Sequence, residues 1–132
     1  MPLAPSRILA LVVLALALTA PLAQASPHSR FFLSPSHNIS CEVDVGVAGV
    51  PEQAYCQTIS PAASATLAAS GRFRSCHGVK CLGNPPEHDP TLGYGRSLVS
   101  GPFRCTSRAS GVTCVAGTHG FTISRAGVSA AR

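Results

Sequence analysis

The sequence contains no tryptophan, two tyrosines and five phenylalanines, so aromatic residues make up 5% of the chain. Few side chains are left to stack on bases, and a nucleic-acid partner is excluded on that ground. An indole platform for sugars is missing as well. Lysine occurs once, as Lys80, and the last acidic residue is Asp89. No G-x-S-x-G stretch occurs, so the strained nucleophile elbow of the hydrolases is absent. The cysteine count is even, at six, which leaves no spare thiol once all are paired. Beyond residue 25 no apolar run approaches the ~20 residues of a spanning helix, so no membrane span is expected there.

What is present begins with a leader. A short basic start, M-P-L-A-P-S-R, is followed by I-L-A-L-V-V-L-A-L-A-L-T-A, then Pro21 and the small-x-small site Ala23-Gln24-Ala25. This is the layout of a secretory signal peptide over residues 1–25, with Ser26 as the mature start. The apolar run is short for a retained anchor, and no cysteine follows the small residues to take a lipid. Residues 26–132 then form a single small secreted domain. Such a domain has a limited core and gains from covalent staples. All six cysteines lie in it, at 41, 56, 76, 81, 105 and 114, and in an exported chain they read as three disulfides. One lysine among many arginines and alanines points to a high-GC bacterial gene.

Without the leader, nine basic side chains stand against five acidic ones. They are unevenly spread. Residues 26–55 hold Arg30 against Glu42, Asp44 and Glu52, whereas residues 91–132 hold Arg96, Arg104, Arg108, Arg125 and Arg132 and no acid. The C-terminal part is therefore basic and able to attract anionic polymers. A merely solvated face is the competing explanation.

Two stretches resemble each other: L-S-P-S-H-N-I-S-C at residues 33–41 and T-S-R-A-S-G-V-T-C at 106–114. Both read as β-hairpins. In residues 102–125, three runs of β-branched, aromatic and hydroxyl residues are separated by R-A-S-G and G-T-H-G, the pattern of an antiparallel meander. With R-A-S-G as the loop, Ser107 faces Val112 and Cys105 faces Cys114, close enough for a disulfide. With G-T-H-G as the loop, Cys114 faces Ile123 and Ala116 faces Phe121. Alternation puts Phe103, Cys105, Val112, Cys114, Ala116, Phe121 and Ile123 on one apolar face. Arg104, Thr106, Thr113, Val115, Thr122 and Ser124 fall on the other. In the first copy P-S-H-N is the loop, Ser34 faces Ile39 and Phe32 faces Cys41. Asn38 and Gly111 share a loop position that favours positive φ.

Between the copies, residues 64–76 read as strand, Ser70-Gly71 turn, strand, with a short helix over Ala62–Ala69 as the alternative. H-G-V-K between Cys76 and Cys81 is a tight loop, and the Pro-rich 82–90 stretch is a surface loop. Ser97–Val99 is a further strand. The expected pairing is sequential, Cys41–Cys56, Cys76–Cys81 and Cys105–Cys114, one of 15 that six cysteines allow. The fold class is all-β: a small disulfide-stapled domain of antiparallel hairpins with a C-terminal meander.

The words S-P-S-H-N-I-S-C-E-V, C-L-G-N-P, T-L-G-Y-G-R-S, G-P-F-R-C-T-S, S-G-V-T-C and H-G-F-T-I-S-R resemble a family of small secreted six-cysteine proteins of actinobacteria, classed as a domain of unknown function. The resemblance runs from about residue 31 to 125. It implies export and a disulfide-held β domain, and no activity. The family usually has glycine where this chain has His37.

Candidate chemistry is sparse. G-Y-G-R-S at 93–97 reads as a turn before a strand. Glu42 and Asp44 fall on one side of a strand, as exposed charge on an edge would. Cys76, His77, Cys81 and His88 could hold zinc, but in an exported chain the cysteines are better read as oxidised. His119 reads as a turn residue. N-I-S at 38–40 matches a glycosylation acceptor and is explained by its turn. No catalytic residue, metal or cofactor is expected. The expected binding face is Arg104, Thr106, Arg108, Thr113, Thr122 and Arg125, its partner an anionic cell-envelope polymer. The alternative partner is another extracellular protein, inhibited through the 84–95 loop with Asp89 and Tyr94. Location is extracellular or in the envelope.

Overall fold

The structure is a computed structural model and describes residues 28–132; the expected signal peptide over residues 1–25 and the expected mature start at Ser26 lie outside the described residues. The described residues form ten strands: β1 (His28–Leu33), β2 (Ile39–Val45), β3 (Gln53–Thr58), β4 (Ala63–Ala68), β5 (Phe73–His77), β6 (Ser97–Ser100), β7 (Phe103–Arg108), β8 (Gly111–Ala116), β9 (His119–Ser124) and β10 (Gly127–Ala131). A single 3-10 turn, Val79–Cys81, follows β5. The fold is all-β, as the alternating sequence requires. Residues 63–68 form a strand, not the alternative helix. Their small side chains sit on a pleated surface between two neighbours, and that pairing overrides helix propensity.

The strands form two five-stranded antiparallel meanders, β1 to β5 and β6 to β10, each in sequence order. Their apolar faces meet in one core of Phe32, Ile39, Val43, Leu67, Phe103, Val112, Phe121, Ile123 and four cysteines. Phe73 closes the core at the open edge, its ring 5.9 Å from that of Phe121.

All three disulfides pair sequentially. Two are cross-strand bridges: Cys41–Cys56 joins β2 to β3, and Cys105–Cys114 joins β7 to β8. Directly opposed Cα atoms are 4.1 Å apart in both, within reach of a disulfide once the strands draw together. The bridges lie on the inner faces and touch across the core, with Cys56 Sγ 3.6 Å from Cys114 Sγ.

The two sheets repeat each other strand by strand. Phe32, Cys41, Cys56, Ala65 and Ser75 are successive partners from β1 to β5. Leu98, Cys105, Cys114, Phe121 and Ala130 are successive partners from β6 to β10. In both rows the cysteines stand second and third. The two look-alike stretches of the sequence are hairpins, but they are not the equivalent ones. By strand position Cys41 matches Cys105 and Cys56 matches Cys114, one strand away from the match that the sequence offers.

The R-A-S-G register is as expected, with the ladder extended to Arg108 and Gly111. The next turn differs. Cys114 faces Phe121 and Ala116 faces His119, because the turn is Gly117-Thr118 alone. His119 is therefore a strand residue, not a turn residue. In the first hairpin, His37 takes the left-handed conformation, with φ 59°. Asn38 does not. Its side chain instead clasps Ser60, accepting from the Ser60 N–H at 3.1 Å and donating to the Ser60 carbonyl at 3.2 Å.

Residues 78–92 run as a strap from β5 across the outer face of the first sheet to the edge of β1. Tyr55 Oη donates to the Cys81 carbonyl at 2.8 Å, and the Gly83 N–H donates to Gln57 Oε1 at 2.7 Å. At its far end the Leu33 N–H donates to the Pro90 carbonyl at 2.9 Å and the Leu33 carbonyl accepts from the Leu92 N–H at 2.8 Å, beside a parallel bridge between Leu33 and Thr91. The strap explains why Ser40 and Gln57 are buried although they point away from the core.

Candidate functional site

The two outer faces of the sandwich contrast. The face of the first sheet is acidic and roofed. Glu42 and Asp44 are on β2, which is an inner strand and not an edge. Asp44 is only 2% exposed and accepts hydrogen bonds from Ser29 Oγ and, at 3.0 Å, from Gln53 Nε2. This corrects the expectation of exposed edge charge. Burial, and then the nearby Asp44 carboxylate, push the Glu42 carboxyl above its ordinary value, with Asp89 adding a smaller push. Burial likewise raises Asp89. These carboxyls share the roofed side, where Glu42 lines a small cavity of ≈ 40 Å³ with Tyr55, Gln57 and Gly83.

The outer face of the second sheet is open. Register places Ser97, Thr106, Thr113, Thr122 and Ser129 in a single row across all five strands. Neighbouring hydroxyls bond in pairs: Ser97 with Thr106 at 2.7 Å and Thr113 with Thr122 at 2.7 Å. Four inter-strand steps make the row ~19 Å long. On one side lies the row of Val99, Arg104 and Val115. On the other lie Arg108, Gly111 and Ser124.

Of the six expected binding residues, Arg104, Thr106, Thr113 and Thr122 lie together on this face. Arg108 and Arg125 lie at its end, Arg108 as the last residue of β7 and Arg125 in the β9–β10 turn. There they line a cleft of ≈ 380 Å³ with Ser36, Asn38, Ser110 and Tyr94. Neither guanidinium group forms a hydrogen bond or ion pair among the described residues. Sequence reasoning missed Tyr94 as part of this group and missed the hydroxyl row as a continuous line. The row was legible in principle once the register of all five strands was known.

The other candidates are placed elsewhere. Cys76 and Cys81 are bonded to each other, so neither is a thiolate ligand for zinc beside His77 and His88. The same holds for the cluster of Cys41, Cys56 and Cys114 in the core, whose sulfurs lie within 4.8 Å of one another but belong to disulfides. Asp89 stands on the strap near Glu42, whereas Tyr94 stands in the end cleft. Among the described residues no helix is long and apolar enough to cross a membrane.

No family model, curated protein or solved structure matches this chain. The functional reading therefore rests on the two faces and the cleft.

Proposed function

We propose that the chain is a secreted, non-catalytic module of the bacterial envelope or extracellular space that binds an anionic envelope polymer through the open face of its second sheet. One observation carries this reading: the uncovered face holds a straight row of hydroxyls flanked by Arg104 and Arg108, and neither guanidinium group has a partner among the described residues. The opposite face is acidic and covered by the strap. An extended polyanion would lie along the row, its hydroxyls meeting the Ser/Thr line and its charges meeting the guanidinium groups, which favour carboxylate and phosphate. Three disulfides fit an oxidising, extracellular setting, and the resemblance to secreted actinobacterial proteins agrees with it.

The test is co-sedimentation of the oxidised mature protein with purified envelope material over a salt series. Retention is expected at low salt and to fall steeply as salt rises. The Arg104→Ala/Arg108→Ala/Arg125→Ala variant is expected to lose most of it. Retention indifferent to both salt and the triple substitution would remove this reading.

A further inference from the structure

We propose that the end cleft is a binding site for one anionic sugar unit, a pyranose carrying a carboxylate or a phosphate. The inference rests on the polymer-binding reading for its ligand class; its geometry stands independently of that reading.

Three turns and one loop converge there. The β1–β2 turn supplies Ser36 and Asn38 from the first sheet. The end of β7 and the β7–β8 turn supply Arg108 and Ser110, and the β9–β10 turn supplies Arg125. Tyr94 comes from the loop before β6. The volume, ≈ 380 Å³, lies in the range of small-molecule sites and exceeds what a bare inorganic anion needs.

The lining is chemically one-sided. Two guanidinium groups face the cleft and no carboxylate or imidazole does. The local potential is therefore positive. Among the described residues that line it there is no Asp, Glu, His or Lys, and an arginine-lined cleft of this kind is read as a binding site. Each guanidinium presents a fork that matches a carboxylate or phosphate. Ser36 Oγ accepts from the Asn38 N–H at 3.3 Å, and Ser110 has no partner among the described residues. Both can serve sugar hydroxyls. Tyr94, 52% exposed, offers a ring face against the apolar side of a pyranose.

The walls are fixed before any ligand arrives. Asn38 is clasped to Ser60. The Gly95 N–H donates to the Ser107 carbonyl at 2.7 Å and the Arg96 N–H to the Gly93 carbonyl at 3.0 Å, which pins the Tyr94 turn along β7. Gly111 lets the β7–β8 turn lie against β9, since a Cβ there would stand 2.4 Å from the Ile123 carbonyl oxygen. Preorganisation of this kind lowers the ordering cost of binding.

The experiment is a ¹⁵N NMR titration of the oxidised mature protein. The probes are glucuronate and glucose 6-phosphate, with glucose and inorganic phosphate as controls. Saturable shifts are expected for 34–38, 94–95, 108–111 and 124–126 with one or both anionic sugars, and the stronger of the two names the anion. Arg108→Ala and Tyr94→Ala are each expected to weaken binding by about tenfold. Arg104→Ala, on the open face, is expected to leave it unchanged. Both cleft side chains are exposed, and dispersion of the spectrum reports that each variant is folded. Absent or scattered shifts, or equal binding by glucose or by inorganic phosphate, overturn the proposal. If sugar anions bind while envelope polymer does not sediment, the polymer reading falls and the cleft stands. If polymer sediments and the cleft amides stay silent, the cleft proposal alone falls.

Discussion

Ser107 is fully buried on the inner face of β7, and its hydroxyl has no hydrogen-bond partner among the described residues. An unsatisfied buried hydroxyl costs free energy that an alanine does not. Ser107→Ala is expected to raise stability by about 1 kcal/mol, read as a higher urea midpoint at unchanged slope. A lower midpoint would show that the hydroxyl is engaged after all. Glu42 makes a second case. Its carboxyl is raised from 4.5 by burial first and by Asp44 next. The folded state therefore holds its proton to higher pH than the unfolded state does. Stability is then highest below the window and falls as pH rises from about 4.5 through the raised value. Asp89 adds in the same direction, starting from 3.8. The Glu42→Gln variant is expected to show a shallower decline of the urea midpoint above pH 4.5. Identical slopes in the two proteins would sink this account. At this scale the sequence was partly legible. His37, which stands where the resembled family has glycine, adopts φ 59°, so the positive φ falls one residue before the position expected for it. Asn38 was not legible, because its role is set by Ser60, 22 residues away.

Turns and strands were read from alternation and turn residues, and the two β7–β8 predictions, Ser107 opposite Val112 and Cys105 opposite Cys114, hold. The next hairpin slipped by two residues because G-T-H-G contains two glycines, and only Gly117 belongs to the turn. A slip of two preserves the face, which is why the apolar set of seven residues is nonetheless the core set. β10 was not legible. G-V-S-A-A has little β propensity, and it is a strand because the edge of β9 offers it a partner. The strap was legible as a surface loop but not as a roof, since nothing local says which face a loop crosses. It also yields a prediction. Cys76 is exposed, whereas the four core cysteines are at most 3% exposed. Thiol–disulfide exchange requires access to the sulfur. Mild reduction with alkylation is expected to label Cys76 and Cys81 first, with the β-sheet signal in circular dichroism kept. Early labelling of Cys105 or Cys114 would contradict it.

For the whole molecule, the sandwich follows from its two sheets each having one apolar face, and the count of six cysteines anticipated three bridges. What could not be read was how the halves meet. The end cleft draws on positions near 36, 94, 110 and 125, and no local pattern spans such distances. Arg108 and Arg125 were visible as charges; their convergence with Tyr94 depends on the register of the second sheet and the pinning of the 93–96 turn along β7, and the addition of Ser36 and Asn38 depends on the packing of one sheet on the other. The repeated look of the two hairpins was a guide to local form and a poor guide to equivalence, since register within each sheet, not word similarity, aligns Cys41 with Cys105.

The sequential order of the bridges has a further consequence. No disulfide joins one sheet to the other, and each cysteine is bonded to the next one along the chain. An oxidant that joins cysteines in their order of emergence therefore produces the native set at the first attempt. The N-terminal meander can be locked by Cys41–Cys56 before β7 and β8 have appeared. A protein wired in this way has little use for a catalyst that reshuffles wrong pairs; it needs only a donor of oxidising equivalents, and a chain that arrives from its N-terminal end.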